Sequence, residues 1–285
     1  MKAAAGATPV SWAAARERFA QPAFASVAAV LARLDTPHWP TLDMLNALAA
    51  GIVNRRGAAL RFAGPALAED VQHYETRIAN EGVVTTRENW HDLFNALAWI
   101  AFPRGKAVIS QMHAEFLGTR GIAEARARSV ERDVLTLFDE GGAIVASEDP
   151  SLLDVLRNFG WGELFVTRRA DVHEHMRVYL FGHALLEKML TPYVGITAKA
   201  ACIAVPQGWA GAPVQTQIAD LDARIAARFV DPEQLRSTRL LAPFPLLGMP
   251  GWFAANEAPS FYANAAYFRS GYARPGRARS PRRVQ

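Results

Sequence analysis

The chain has 285 residues, of which 51% are hydrophobic and 20% are charged, so its composition excludes wholesale disorder. Five of its 31 Lys and Arg residues lie in the last fifteen residues, which contain no Asp or Glu, so the rest of the chain holds 26 basic and 27 acidic residues and a net charge of −1. The single cysteine, Cys202, excludes an intramolecular disulfide, a cysteine-rich zinc ribbon and an iron–sulfur cluster.

The first third of the chain has the apolar periodicity of helices. Apolar side chains recur every three or four residues in several segments, and Thr41 and Asn89 precede two of them as candidate N-caps. Gly82 is placed to end another. We predict helices over residues 24–34, 42–52, 66–79, 89–101 and 104–117.

The middle of the chain changes to the pattern of β-structure. Residues 134–138 and 143–146 flank the sequence Asp139-Glu-Gly-Gly, which favours a β-hairpin. Residues 200–205 are predicted as a strand that buries Cys202 as a small hydrophobe. The other predicted segments are helices over 151–159, 182–190 and 220–229, a strand or helix over 176–181, and a buried extended or turn segment over the proline-containing stretch 240–255.

These elements predict one helix-rich α+β domain over residues 1–270, with a small antiparallel β element, and a disordered basic tail over 271–285. Charged residues from Arg16 to Arg18 come before any apolar run, so no secretory signal is evident and a cytoplasmic protein is expected. The stretch 240–255 is shorter than the ~20 apolar residues that span a bilayer, so no membrane segment is expected. The chain lacks the glycine-rich signatures of NTPases, dinucleotide enzymes and α/β-hydrolases.

The first candidate site is the start of the helix predicted at Asn89. His91 and Asn95 are one turn apart and share a face, while Asp92 projects about 100° around the helix and flanks that face. The free amides of this helix start, with Arg87 before it, suit an anionic group. The alternative is structural: Asn89 caps the helix, Asp92 favours its dipole, and His91 is buried on a backbone partner.

The second candidate is the pair His183 and Glu187, which stand four residues apart on the helix predicted over 182–190. An imidazole and a carboxylate at this spacing can bind one metal ion or share a proton. A helix surface often produces this spacing by chance, so an intrahelical hydrogen bond is the alternative.

The remaining acidic residues and His113 are weaker candidates. Asp133 beside Arg132 is either a site residue or half of a structural ion pair, and Asp139-Glu140 is interpreted as part of the hairpin turn. On an extended strand, Asp133 and Asp139 would lie about 20 Å apart, too far to share a metal ion. His113, considered alone, is interpreted as a core histidine.

A third group of histidines has the spacing of a metal half-site. Asp171, His173 and His175 would share one face of a strand, and this residue set suits zinc or a similar ion. Arg168, Arg169 and Arg177 flank the group, which favours a solvated loop instead.

Several linked motifs, taken in order, resemble a family of bacterial proteins. They are Arg87-Glu-Asn-Trp-His-Asp-Leu-Phe-Asn-Ala-Leu-Ala-Trp-Ile-Ala-Phe-Pro, Arg132-Asp-Val-Leu-Thr-Leu-Phe-Asp-Glu-Gly-Gly, Phe181-Gly-His-Ala-Leu-Leu-Glu-Lys and the Pro-Leu-Leu-Gly-Met-Pro-Gly-Trp that ends at Trp252. From Tyr74 to Arg269 the chain is similar to the DUF3025 family, and the resemblance supplies no reaction. It implies that the motif residues are His91, Asp92, Asn95, His113, Asp133, His183 and Glu187.

Together the motifs predict a hydrolase-type active site, with a divalent metal ion as the candidate cofactor. The candidate metal ligands or acid–base groups are His91, His183 and Glu187, and the carboxylates of Asp92 and Asp133 would orient an imidazole. The candidate catalytic residues are His91, Asp92, Asn95, Asp133, His183 and Glu187, and the candidate substrate-binding residues are Arg87, Asn89, Arg132 and His113. The arginines and the helix start favour a small anionic substrate such as a phosphoester.

Two other interpretations stay open. The Arg-rich tail over 271–285 suits a non-catalytic binding module for nucleic acid or a protein partner. The polar motif residues would otherwise form a buried hydrogen-bond network that fixes the fold. An open pocket lined by His91, His183 and Glu187 would favour the enzyme, and a sealed core would favour the network.

Overall fold

The computed structural model of the chain describes residues 10–65, 74–118 and 129–271. Its helices are α1 (Trp12–Arg16), α2 (Ala28–Leu31), α3 (Leu42–Leu48), α4 (Tyr74–Glu81), α5 (Trp90–Ala101), α6 (Pro103–Gly118), α7 (Val130–Gly141), α8 (Pro150–Arg157), α9 (Arg169–His175), α10 (His183–Lys188) and α11 (Val214–Phe229). Its strands are β1 (Arg61–Ala63), β2 (Val83–Thr85), β3 (Gly142–Ser147), β4 (Met176–Leu180), β5 (Thr197–Ala204) and β6 (Ala242–Pro245). The predicted helix-rich α+β class is confirmed.

The main sheet has the strand order β4-β3-β5-β6. β3 pairs antiparallel with β4 and parallel with β5, and β5 pairs antiparallel with β6. The strand predicted at 200–205 is therefore confirmed within β5, but the sheet is mixed rather than purely antiparallel. The edge strand β6 contains Pro243 and Pro245. A separate parallel pair joins β1 to β2.

The hairpin predicted at 134–146 is wrong. Its first half belongs to α7, which Ser129 caps by accepting a hydrogen bond from the backbone N–H of Arg132 at 3.4 Å. The buried side chains have helical spacing, since Leu137 is 37% exposed between residues that are fully buried. Those buried residues are Val134, Leu135 and Phe138. Only residues 143–146 form a strand, inside β3.

The other helix predictions are confirmed, with ends that differ. The segments 42–52, 89–101, 104–117, 151–159, 182–190 and 220–229 contain α3, α5, α6, α8, α10 and the second half of α11. The helix predicted at 24–34 is reduced to α2, because the chain before it forms a short 3₁₀ turn after Pro22. Residues 176–181 contain β4, and 240–255 consist of β6 and short 3₁₀ turns.

Two predictions fall on residues that the structure does not describe. The first half of the helix predicted at 66–79 lies there, and α4 covers the second half and precedes Gly82. The basic tail also lies outside the described residues, apart from Gly271. Within the described ranges, no helix has the length and apolar character needed to cross a membrane.

Strand β3 lies at the centre of the core and is buried on both faces. Ala143 and Val145 belong to one apolar cluster, and Ile144 and Ala146 belong to the other. Because successive side chains on a strand point to opposite faces, the two clusters lie on opposite sides of the sheet. Each cluster is completed by helices, so β3 is covered on both sides.

The end of α7 and the start of α10 touch through their backbones. The N–H of Gly182 donates to the carbonyl of Gly142 at 2.9 Å. A Cβ atom on Gly182 would lie 2.4 Å from the Glu140 carbonyl oxygen and 2.5 Å from the Gly142 nitrogen, so only glycine fits without a backbone shift. This contact holds the end of α7 against His183, the first residue of α10.

Substitution at Gly182 tests how much the close backbone contact between Gly182 and the end of α7 contributes to stability. Gly182→Ala is expected to lower the free energy of unfolding by about 1–3 kcal/mol, because the added methyl group meets fixed backbone atoms. Gly141→Ala is the matched control, since a Cβ there meets nothing within 4 Å and alanine favours a helix. Urea denaturation of both variants measures the difference, and equal stability would contradict the steric argument.

Candidate functional site

Helix α5 begins with a capping arrangement that leaves His91 at the surface. The Asn89 side chain accepts a hydrogen bond from the N–H of Asp92 at 2.8 Å, which caps the helix. Trp90 is 8% exposed, and its indole N–H donates to the carbonyl of Val10 at 2.7 Å. With this neighbour anchored in the core, His91 keeps 42% of its side chain exposed.

His91 meets His183, the first residue of α10. Their Nε2 atoms lie 3.1 Å apart and their ring centroids 4.5 Å apart. A carboxylate stands behind each ring. Glu187 Oε2 is 3.3 Å from Nδ1 of His91, and Asp139 Oδ2 is 3.7 Å from Nδ1 of His183. His183 and Glu187, which the sequence spacing paired with each other, therefore both contact His91.

The two carboxylates set the positions of the ring protons. An ionised carboxylate only accepts hydrogen bonds, so each one favours a proton on the Nδ1 atom that it faces. The tautomers assigned from these partners leave a lone pair on each Nε2 atom, and the two lone pairs face each other. At 3.1 Å such lone pairs repel unless a proton or a metal cation lies between them.

Glu140, near the end of α7, adds a third atom of the kind that binds metal ions. One ligand atom from each of His91, Glu140 and His183 can be chosen so that all three lie within 4.8 Å of one another. Two nitrogens on a tetrahedral zinc ion, each about 2.0–2.1 Å from the metal, are about 3.3 Å apart. The 3.1 Å between the two Nε2 atoms is close to that spacing, so these residues have the geometry to hold one ion.

The three residues line a cavity of about 250 Å³. The side chains of His91 and Glu187 are each 42% exposed, so the site opens to solvent and is not a sealed core. Since a water molecule takes up about 30 Å³, the cavity has room for one small chemical group and a few waters. Other residues in its wall include Tyr74, Glu75, Arg87, Asn95, Lys106 and Asp139.

Lys106 joins the cavity wall to the histidines. Its ammonium group donates to Asn95 Oδ1 at 2.8 Å and to Asp139 Oδ1 at 2.6 Å. The Asn95 Nδ2 group in turn donates to the Tyr74 hydroxyl at 3.1 Å. Because the other oxygen of Asp139 faces His183, these side chains form one continuous polar network.

Burial and neighbouring charges set the protonation of this network. Burial, helped by the Lys106 ammonium, lowers the pKa of His183 to about 4, so its ring is neutral at pH 7. The hydrogen bond to Glu187 raises the pKa of His91. Burial by itself would raise the pKa of Asp139, but Lys106 and His183 outweigh it and the pKa is lowered. Neutral imidazoles and ionised carboxylates are the forms that bind metal ions.

Glu75, in the first turn of α4, brings a carboxyl group to the same cavity. Burial, followed by the negative charge of Asp139, raises the pKa of Glu75 to about 7, and the opposing effect of Lys106 does not cancel this. A carboxyl group that titrates near neutral pH inside a cavity is a candidate acid–base group.

Several residues singled out from the sequence line the cavity together: His91, Asp92, Asn95, His183 and Arg87. Asp92 does not face an imidazole, because its Oδ2 atom accepts from the backbone N–H of Arg87 at 2.8 Å and from Arg87 Nε at 3.0 Å. Asn89 acts as the helix cap. Asn89 and Asp92 therefore have structural contacts at the start of α5, as the alternative to a catalytic role predicted.

Other predicted site residues do not line the cavity, although the charges of Arg132 and His113 act on Glu75 and Asp139 in its wall. Arg132 and Asp133 are in the first turn of α7, roughly 10 Å along the helix axis from Glu140. His113 is buried on α6, at 6% exposure. Among the described residues that line the cavity, none of these three is present.

The sequence did not single out Lys106, Asp139, Glu140 or Glu75 as site residues. The hairpin prediction places Asp139 and Glu140 in a turn, because it treats residues 134–138 as a strand. They lie instead in the last turn of α7, where the helix dipole disfavours negative charge. If residues 130–141 are predicted as a helix, the acidic pair falls at its C-terminal end, and two acids at this unfavourable position indicate a function. Lys106 offered a weaker signal, as one of only four lysines in the chain.

The histidine group at 171–175 does not form a metal half-site. These residues lie on helix α9 rather than on a strand or a solvated loop, so the alternation does not put them on one face. Asp171 pairs with Arg168 at 2.9 Å, and His175 pairs with Glu148 at 3.2 Å.

Cys202 lies on β5, and burial raises the pKa of its thiol, which fits the predicted role of a small hydrophobe.

Comparison with known proteins identifies a family but no activity. A family model described as "Protein of unknown function (DUF3025)" matches residues 60–272. No curated protein and no solved structure matches the chain. The whole site, from Tyr74 to Glu187, falls within the matched segment.

The pH dependence of stability tests the environment of Glu75. Its folded-state pKa of about 7 is above the ordinary value of 4.5, so the folded protein binds this proton more tightly and loses stability as the pH rises from 4.5 to 7. Glu75→Gln removes this loss, and is expected to gain up to about 3 kcal/mol over the native protein at pH 8 but little at pH 4.5. Urea denaturation at both pH values measures the gain.

Glu81→Gln is the control for this comparison. Glu81 lies on the same helix, but its side chain is 48% exposed and pairs with Arg77 at 3.6 Å. Its loss is expected to change stability by less than about 1 kcal/mol at either pH. A gain for Glu75→Gln that does not grow with pH would refute the assigned pKa.

Proposed function

The chain belongs to the DUF3025 family, and because the description of that family names no activity, we propose a function from the geometry of the site itself. We propose that the protein is a metal-dependent hydrolase, whose site binds one divalent transition-metal ion through His91, His183 and Glu140. The proposed substrate is a small anionic ester of the phosphoester type.

The observation that carries this proposal is the pair of facing Nε2 atoms, 3.1 Å apart. The carboxylates of Glu187 and Asp139 stand behind the two rings and favour protons on the Nδ1 atoms, and in the tautomers assigned on this basis both facing nitrogens carry lone pairs. A shared proton would be enough to hold two imidazoles together. The nearby oxygen of Glu140 adds a third ligand of negative charge, which favours a divalent cation over a proton.

Two carboxylates act as positioning groups for the imidazole ligands. Glu187 accepts from Nδ1 of His91 and so directs its Nε2 atom towards the ion. The Asp139 carboxylate lies 3.7 Å from Nδ1 of His183, too far for a hydrogen bond, so it acts on this ring through its charge, and the 2.6 Å bond from Lys106 holds Asp139 in place. In this proposal Glu187, which the sequence predicted as a metal ligand, instead orients the ring of His91, and Glu140 is the third ligand of the ion.

Three protein ligands leave a coordination position open, as in catalytic rather than structural zinc sites. A bound divalent ion would polarise the ester and supply a water molecule whose pKa is lowered towards neutrality. Glu75, with its pKa of about 7, is available in the same cavity to accept or donate a proton at neutral pH. Together these groups would supply the electrophile, the nucleophile and the proton transfer of a metal-assisted ester hydrolysis.

The cavity favours a small anionic group. Its volume of about 250 Å³ is below the range of pockets that enclose drug-sized ligands. Lys106 and Arg87 in its wall are paired with Asp139 and Asp92, so the bound divalent cation would supply the net positive charge that attracts the anion. The alternative, a binding module that uses the basic tail, gains no support from the described contacts, because residues 272–285 lie outside them.

Metal titration of chelator-treated protein tests the proposed ligands. Isothermal titration calorimetry with Zn²⁺ is expected to show one site per chain. His183→Ala and Glu140→Gln each remove a ligand and are expected to weaken binding by more than about 100-fold, whereas Glu187→Gln removes an orienting group and should weaken it by about 10- to 100-fold.

Asp133→Asn is the control, because it removes a carboxylate from the same helix as Glu140 but about two turns away. Its Zn²⁺ affinity is expected to equal that of the native protein, and circular dichroism verifies that each variant is folded. Tight Zn²⁺ binding by folded His183→Ala would show that the ligand set is wrong. No binding by the native protein would refute metal dependence and leave the shared proton as the account of the imidazole pair.

Hydrolysis of p-nitrophenyl phosphate and bis-p-nitrophenyl phosphate tests the reaction class. The Zn²⁺- or Mn²⁺-loaded protein is expected to release p-nitrophenol, and the release should stop on addition of EDTA and in His183→Ala, because both remove the ion. Asp133→Asn should retain the native rate. Release that survives both treatments would come from a contaminant or another site, and no release from either ester would count against a phosphoester substrate.

A further inference from the structure

Lys106 is a buried lysine in the lining of the cavity, and lysines are rarely buried in proteins. Its side chain is only 3% exposed, yet it lines the cavity that also contains His183. Its bonds to Asn95 and Asp139 use two of the three N–H donors of the ammonium group. One donor is left for a ligand in the cavity.

The surroundings hold this ammonium group in one position. Asn95 donates its amide to the Tyr74 hydroxyl, which assigns its oxygen to Lys106. Asp139 accepts from Lys106 with one oxygen and faces His183 with the other. The Trp99 ring centroid lies 5.6 Å from the Lys106 nitrogen. A donor fixed in this way loses little freedom when a ligand binds, so it suits recognition.

The charges in the wall indicate when an anion can enter. Two ion pairs are neutral overall: Lys106 with Asp139 at 2.6 Å and Arg87 with Asp92 at 3.0 Å. Glu75 and Glu140 add two further carboxyl groups to the lining. When both of these carboxyl groups are ionised, the wall repels an anion until a divalent cation neutralises their charge.

We propose that Lys106 contacts the substrate, donating its third N–H to an oxygen of a phosphate group that also contacts the metal site of His91, His183 and Glu140. This inference rests on the proposed function, and it adds a residue that recognises the anionic group. A compact ammonium acts as a point charge that donates to a single phosphate oxygen, whereas a guanidinium is suited to bidentate contact with two. The cation and the anion then bind cooperatively, and each strengthens the binding of the other by the same factor.

Inorganic phosphate is the probe for this contact. Zn²⁺ affinity is measured first, and the Zn²⁺-loaded protein is then titrated with phosphate by calorimetry. The native protein is expected to bind phosphate only when Zn²⁺ is present. Lys106→Met should weaken phosphate binding by about 10- to 100-fold, the usual effect of losing a hydrogen bond to a charged group.

Lys188→Met is the matched control. Lys188 is an exposed residue of α10, so its replacement removes the same charge near the site without changing the cavity wall. Its phosphate affinity is expected to stay within about twofold of the native value, since an exposed charge has a small effect in salt. An equal loss in both lysine variants would overturn the contact and leave only a general charge effect.

A measurement on the native chain does not depend on the folding of Lys106→Met, which leaves Asp139 without its partner. The chain has four lysines, so labelling their ζ-nitrogens with ¹⁵N gives a simple spectrum. The buried Lys106 ammonium is expected to be the signal protected from exchange, and to shift when phosphate is added to the Zn²⁺-loaded protein. Phosphate binding that leaves this signal unmoved would overturn the inference.

The two proposals fail in distinguishable ways. If the native protein does not bind Zn²⁺, the proposed function fails and this inference falls with it. If Zn²⁺ binds but phosphate does not, or if phosphate binds folded Lys106→Met as tightly as the native protein, only the role of Lys106 is overturned and the metal site stands.

Discussion

The backbone contact between Gly142 and Gly182 is the constraint on which the geometry of the site depends. Gly142 begins β3 directly after α7, and Gly182 lies between β4 and α10. β3 and β4 are antiparallel neighbours, with Ala143 opposite Leu180, so the register of the sheet brings the two helix ends together. The separation of the Glu140 and His183 main chains is thus set by main-chain pairing rather than by flexible loops, which fixes the backbone positions of two of the proposed ligands.

The site places charge where it costs stability. Asp139 and Glu140 lie at the end of α7 that disfavours acids, and Lys106 pairs with Asp139 inside the protein, where desolvating both charges offsets most of their attraction. Burial, followed by the negative charge of Asp139, raises the pKa of Glu75 to about 7, so this carboxyl group too is placed where its charged form is disfavoured. Electrostatic cost gathered in one cavity is typical of a functional site, because a surface chosen only for stability would avoid it.

Local features could be predicted from the sequence, and long-range ones could not. The Asn89 cap and the helix that follows were predictable because both signals lie within one segment. Residues 134–138 have strand-forming composition, but burying one face of α7 against the core outweighs that preference. The spacing of His183 and Glu187 paired two residues that do lie close to the cavity, but each of them contacts His91. Their common partner is His91, more than 90 residues earlier, and no local pattern specifies that contact.

The two prolines of β6 limit how the protein can associate with others. β6 is the edge of the main sheet, and Pro243 and Pro245 have no N–H to offer a neighbouring strand. At the opposite edge, β4 packs against the short turn at Pro22–Phe24. Among the described residues, one edge of the main sheet lacks two donors and the other is packed against a turn, and both features disfavour edge-to-edge aggregation of this sheet.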